Sequence, residues 1–535
     1  MIYDVLVIGA GVAGLTAAHK LRALLPNASL LVLEASGRVG GRTLTEKVKV
    51  CPEDERNTNT EEEDKFDLGG QWVASGQRHV IDLLSQLDLS TFPQYTTGLK
   101  VMQLGGDTVR TYSSDIPSLG SLWALIQLQW FIWKAERLAG GTSILDPGNS
   151  HHAHQLEGET VHSFLHKSVS NVAVIQAIDV ACKAAFGTDA SRISLLYFLA
   201  YANAAGGVMK LFEAKRDAAQ EARVKGGTQQ ISHILAERIG IQNLIFNQPV
   251  VEVQQSTEDG DTVTIVTKNG ARYVARRVIL STPPNQLIKI KFDPPLPPYK
   301  RLACENLPMG HLTKFIVVYR KAFWREKGYS GEIVSNGGGP LGDVGGVTCG
   351  PLSVCYDATT HSGTPAIVGF IAGRQGIEWH NKTKEEREQG VIKGLCTMLG
   401  EEARQYVTYI EKIWSDEPYV GGCPVGFGVP GVTYTLPHLR LPFLRLHFAG
   451  TETATEWTGY ISGAVQSGER AALEVTHALH PGTLTKEQLR GTCHDAFSLP
   501  QLGVTSWKDS RTLSDLFFVA VVVVVVIVAV VVARW

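Results

Sequence analysis

At 535 residues the chain is too long for one ordinary hydrophobic core, and its length predicts two to three domains. A hydrophobic fraction of 44%, 54 glycines and a formal net charge of −2 fit a large, loop-rich globular enzyme and give no reason to expect a nucleic-acid partner. Eight scattered cysteines with no CxxC pair suggest neither a disulfide framework nor a zinc site, and point to a reducing compartment.

Tyr3-Asp4-Val5-Leu6-Val7-Ile8 reads as a buried parallel strand running into Gly9-Ala10-Gly11-Val12-Ala13-Gly14 and a helix over residues 15–25. No secretory signal is expected at this start, which has no basic n-region and whose apolar run is already used by the nucleotide-binding strand. In GxGxxG, Gly9 permits the tight turn, Gly11 lets backbone N–H groups approach a pyrophosphate, and Gly14 lets helix and strand pack closely. A second apolar strand, 29–33, ends at Glu34, whose carboxylate can accept from both ribose hydroxyls of an adenosine. An adenine dinucleotide is the predicted ligand. Ala35-Ser36-Gly37-Arg38-Val39-Gly40-Gly41-Arg42 follows, and it resembles the extended signature of the flavin-containing amine oxidases, which implies FAD. Arg38 and Arg42 would add donors beside a pyrophosphate that the helix N-terminus already attracts.

Residues 53–64 hold seven carboxylates and read as a solvated loop tip. In Asp67-Leu68-Gly69-Gly70-Gln71-Trp72, a glycine turn on its own terms, the resemblance places Gly70 and Gln71 against the flavin and pyrophosphate. From about residue 80 to 203 the text is helical, with runs at 80–87, 119–138, 160–169 and 172–185, and carries no nucleotide signature; it reads as part of a substrate domain inserted into the FAD fold. His151, His152 and His154 lie in a Pro/Gly/Ser-flanked loop without ligand-spaced partners, so no metal is predicted. Residues 206–227 read equally as a surface helix or, by resemblance, as a segment contributing Leu211, Phe212 and Gln220 to a substrate cavity, the last through a one-residue insertion.

Strands return at 249–254 and 263–267, with a Lys268-Asn269-Gly270 turn to a partner from Arg272, and residues 278–284 read as a parallel strand stopped by proline. Resemblance puts the backbone of Val250 against the adenine. Alternation in residues 312–319 sets Lys314 on one face with Ile316 and Val318. It is either a snorkelling edge-strand lysine or, as the resemblance implies, a catalytic lysine holding a water beside the flavin. A strand at 366–372 and a charged helix at 382–399 complete the second domain.

The C-terminal third has Trp414-Ser415-Asp416-Glu417-Pro418-Tyr419-Val420-Gly421-Gly422-Cys423, then Ala449-Gly450-Thr451-Glu452-Thr453-Ala454-Thr455 and Trp457-Thr458-Gly459-Tyr460. In order and spacing these resemble the monoamine oxidases. The resemblance implies a thioether from Cys423 to the flavin, further cofactor contacts at Trp414, Glu452 and Ile461, and a substrate-facing catalytic aromatic at Tyr460. Where that family has a second cage tyrosine this chain has Pro424, and Phe427 is the nearest replacement in sequence. The glycine- and alanine-rich helix from Ile461 can approach a neighbour closely and offer its N-terminus to the flavin, or simply pack. Residues 516–533 are uncharged, and a helix of that length spans about 27 Å, near a bilayer's hydrocarbon thickness.

The expected architecture is α/β: a two-domain flavin amine oxidase-like fold with a Rossmann-type FAD-binding domain (1–80, 206–290 and 405–475), an inserted α+β substrate domain (81–205 and 291–404), an extension (476–515) and a transmembrane tail anchor (516–533). The resemblance implies oxidation of primary, or secondary, amines by O2, a cytosol-facing enzyme on membrane lipid of the mitochondrial outer membrane, and compatibility with a homodimer. A polyamine or amino-acid oxidase, or a flavin-bearing interaction protein with little turnover, are the alternatives.

Overall fold

The structure, a computed structural model, describes residues 1–50, 63–104, 106–113, 119, 121–214, 216–255, 261–338 and 347–495. Most of the acidic insert and the whole apolar tail at 516–533 lie outside the described residues. Among the described residues no helix is long and apolar enough to cross a membrane.

Ile2–Ile8 occupies the middle of an eight-stranded sheet, parallel to Leu30–Leu33 on one side and Arg272–Leu280 on the other. Its side chains alternate between two buried clusters, Val5 and Val7 on one face and Leu6 and Ile8 on the other, as a parallel sheet covered on both faces requires. The strands expected at 272 and 278 are one strand. Its first half pairs antiparallel with Val263–Thr267 and its last three residues pair parallel with Leu446–Phe448. Helices Val12–Leu24 and Ile461–Leu479 cross over this sheet at close range, where a Cβ on Gly468 would stand 2.3 Å from the Ala13 carbonyl oxygen.

A seven-stranded sheet runs in the order Tyr406–Ile413, Leu312–Tyr319, Ala366–Ala372, Val354–Asp357, Tyr329–Ser335, Leu99–Gln103, Val109–Tyr112. Two expectations are corrected here. The stretch expected to be helical is interrupted after its first helix by strands, of which Leu99–Gln103 and Val109–Tyr112 extend this sheet. Tyr406–Ile413 pairs with Leu312–Tyr319 along its length, so the expected return to the FAD domain at 405 falls after that strand. The same pairing rules out an edge position for Lys314. Leu312–Tyr319 is flanked on both sides and all eight of its residues are buried. Phe315, Val317 and Tyr319 enter one cluster, while Ile316 and Val318 join Trp414 and Cys423 in another, on the face Lys314 shares.

The expected helical runs form as Arg78–Gln86, Leu122–Gly140, Val161–Ser168 and Val172–Phe186. Ser121, Thr160 and Asn171 each cap an N-terminus with a side-chain oxygen, which explains where three of them begin.

Candidate active site

One cavity of about 660 Å³ connects the Gly9–Gly11 turn to the helices of the second region. At its nucleotide end Gly11 precedes helix Val12–Leu24, which has no side-chain cap and no acid in its first turn. Glu34 closes the turn: its Oε2 accepts from Ala10 N at 2.7 Å, while its Oε1 accepts from both Ser36 N at 2.8 Å and Ser36 Oγ at 2.7 Å, so Oε2 is the oxygen placed to accept from a ligand hydroxyl as well. Val250 lines the same end. Gly14 does not line the cavity; a Cβ there would sit 2.0 Å from the Gly9 carbonyl oxygen, so it serves the close strand–helix approach.

The two arginines spend much of their donor capacity on the protein, as guanidinium groups withdrawn from water must. Arg38 donates to the carbonyls of Val39, Gly41 and Thr43 and shapes the loop. Arg42 donates to Glu452 at 2.6 and 3.0 Å and to the Pro424 carbonyl at 3.0 Å. Both line the cavity, but Glu452 does not; it borders a small neighbouring void with Tyr197 and Tyr201.

Midway along the cavity, Lys314 Nζ donates to the Gly69 carbonyl at 2.9 Å and Gln71 Oε1 at 2.5 Å. It lies 5.7 Å from the Trp72 ring centre and 5.9 Å from that of Phe370. Burial drives its pKa down to about 7, against the opposing charge of Asp67. Gly70, Gln71, Trp414, Cys423 and Ile461 line this section. Burial pushes the Cys423 thiol up to about 12, against Arg42 and Lys314. Tyr460 is the N-cap residue of Ile461–Leu479, whose N-terminus also lacks a side-chain cap. Its ring lies 6.2 Å from Tyr201 and 5.2 Å from Trp457, and burial raises its hydroxyl pKa.

Two uncapped helix N-termini opening on one cavity provide donors for two separated acceptor groups of one long anionic ligand. The buried Gln71 Nε2 has no partner within the protein, a donor that a bound ring acceptor would satisfy. The residues present therefore fit FAD.

The substrate end holds Leu211, Phe212 and Gln220, from a short helix Val208–Phe212 and the turn after it. Phe427 does not replace the missing tyrosine. It is fully buried outside the main cavity lining, with the Arg192 guanidinium 5.1 Å from its ring centre. The aromatic wall is built from Trp72, Tyr201, Tyr356 and Phe370, with Trp72 and Tyr356 edge to face at 5.2 Å. Of these the sequence motifs contain only Trp72. Tyr201 comes from helix Leu195–Ala204, and Tyr356 and Phe370 from paired strands, with no short-range signal to mark them.

A family model described as flavin containing amine oxidoreductase matches residues 12–476. The chain is 33% identical over 480 residues to a probable flavin-containing monoamine oxidase A of Dictyostelium discoideum, covering 89% of this chain and 98% of that protein. It is 32% identical over 507 residues to the flavin-containing amine oxidase A of Canis lupus familiaris, covering 94% and 90%. Among solved structures, cyclohexylamine oxidase from Brevibacterium oxydans superposes with a TM-score of 0.79 at 28% identity, covering 90% of this chain and all of that one. Putrescine oxidase bound to putrescine gives 0.79 at 27%, covering 89% and 99%.

Proposed function

Because the chain belongs to the flavin-containing amine oxidoreductase family, and so is an amine oxidase that uses FAD and O2, we propose that it converts small primary amines, and secondary ones, to aldehyde, ammonia or a smaller amine, and hydrogen peroxide. The observation that carries this reading is the single cavity in which Lys314, Gln71, Cys423 and Tyr460 stand between the dinucleotide turn and an aromatic and aliphatic pocket. When bound, FAD supplies the acceptor for the two electrons of the amine C–H bond and the site at which O2 is reduced.

The protein's own part is orientation and a dry environment. Tyr460 and Tyr201 present ring faces to the amine, and their apolar surroundings favour its neutral form, whose lone pair is needed for oxidation. Lys314, held by Gly69 and Gln71, places an exchangeable proton at Nζ beside the reacting region. No arginine lines the substrate end among the described residues, which favours a simple amine over an amino acid carrying a carboxylate.

Three finer assignments belong to the same proposal. Cys423 forms a thioether to the flavin, a reading supported by its place on the cavity wall. Residues 516–533 anchor the enzyme in a membrane, the mitochondrial outer membrane by analogy, with the catalytic unit facing the cytosol. The active species is compatible with a homodimer. The test is an amine panel followed by anaerobic flavin bleaching and peroxide release. Rapid bleaching by small aryl- or alkylamines supports the reading, and bleaching by polyamines or amino acids alone would replace it.

A further inference from the structure

Outside the residues used so far, the substrate half of the cavity contains an ion pair that stability does not explain. Glu332, on strand Tyr329–Ser335, lines the cavity among apolar neighbours such as Val334, Val354 and Tyr356. One of its oxygens lies 3.2 Å from Lys100 Nζ, with side chains only 16% and 12% exposed, and the other accepts from the Tyr112 hydroxyl at 3.4 Å. Lys100 and Tyr112 are cross-strand partners, so three strands converge on this carboxylate. A largely buried ion pair costs desolvation that well-packed apolar side chains would avoid, and its presence on the cavity wall among Val334, Val354 and Tyr356 points to a ligand.

The topology sets its place. Leu312–Tyr319, which carries Lys314, and Tyr329–Ser335 are separated by two strands, so three strand spacings put the two chains about 14 Å apart across the cavity wall. Tyr356 lies between the two regions and is under the electrostatic influence of both Glu332 and Tyr460.

Resting on the reading of the cavity as an amine site, we propose that Glu332 and Tyr112 form a subsite for the distal end of the substrate, and that the group it takes is a neutral hydroxyl, phenolic or alcoholic. An ionised carboxylate offers about four acceptor sites, so Glu332 can accept a hydrogen bond from that hydroxyl while it holds Lys100 and Tyr112. A second ammonium on the substrate is disfavoured because Lys100 already neutralises Glu332 and would repel it. Lys100 is a positioning residue that fixes the carboxylate and sets this selectivity.

The test compares kcat/KM for 4-hydroxyphenethylamine and phenethylamine, and calorimetric affinity of the flavin-loaded protein for 4-(2-hydroxyethyl)phenol and 2-phenylethanol, which carry no oxidisable amine. Wild type favours the hydroxylated member of each pair by about tenfold, the range of one good buried hydrogen bond. Glu332→Leu brings both ratios close to one. Glu332→Gln, of unchanged shape, retains part of them and covers the case in which the leucine variant does not fold. Lys100→Met, which leaves the carboxylate uncompensated, raises the kcat/KM ratio of 1,4-diaminobutane over butylamine. Equal ratios in wild type and Glu332→Gln, or a wild type preferring the diamine to the hydroxylated amine, overturn the subsite. If no amine is turned over but the binding preference exists and disappears in Glu332→Leu, the subsite stands and the proposed reaction falls.

Discussion

Arg42 and Glu452, 410 residues apart in the chain, meet in a two-pronged pair of 2.6 and 3.0 Å, with the glutamate side chain only 2% exposed. The pair ties the loop after the dinucleotide turn to the loop that precedes Tyr460. Removing one partner strands a buried charge, so Glu452→Ala should cost about 3–5 kcal/mol. The loss should appear as a lower urea midpoint for flavin release, and a shift worth under about 1 kcal/mol would contradict the linkage.

The same pair sets a pH dependence. Burial, the largest influence on Glu452, raises its pKa, but the Arg42 charge and hydrogen bonds together outweigh it and hold the carboxyl below its ordinary value of 4.5. A depressed folded pKa contributes stability that is present above 4.5 and lost as pH falls through the lower folded value. The wild type should lose stability across that acid window more steeply than Glu452→Gln, measured by thermal unfolding between neutral and acid pH.

Lys314, brought to about 7 by burial, changes charge within the working range. Its ammonium form prevails below that value and its neutral form above. If the ammonium assists reduction of O2, the reoxidation rate should fall as pH rises through about 7, and Lys314→Met should flatten this profile while slowing reoxidation more than amine-driven reduction. Separate stopped-flow measurement of the two half-reactions decides it, and equal slowing of both would remove the assignment.

Tyr460 lies against Tyr201 and Trp457, so its ring orientation is set by packing. Tyr460→Ala should weaken amine-driven reduction about five- to thirty-fold, or ~1 to 2 kcal/mol, through lost orientation. An unchanged anaerobic reduction rate would show that the amine does not use this face.

For the covalent link, acid-denatured wild type should retain its flavin and Cys423→Ala should release it. Complete release from the wild type would show that Cys423 only lines the site.

Truncation before Asp515 should move the protein from carbonate-resistant membrane to the soluble fraction. Persistent membrane retention would place the anchor elsewhere.

Much of the nucleotide-binding half was legible because its requirements are local. A strand, a turn that only glycine permits and a helix N-terminus occupy consecutive residues, and a Cβ on Gly14 would meet the Gly9 carbonyl at 2.0 Å. Alternation along Leu312–Tyr319 likewise puts Lys314 on the face of Ile316 and Val318 whatever strands flank it. Whether that strand lay at an edge was not legible, since the answer depends on Tyr406–Ile413, nearly a hundred residues on.

The sequence by itself determined the chemistry class, because motifs with fixed spacing encode backbone geometry that a dinucleotide demands. Only the tertiary structure decided who faces the substrate: it sent Phe427 to Arg192, assembled a wall from Tyr201, Tyr356 and Phe370, turned Arg42 onto Glu452, and set Glu332 beside Lys100. The physical reason is that a cavity wall is made where distant strands and helices pair, and the pairing register, which no local pattern records, chooses which side chain of each element points inward.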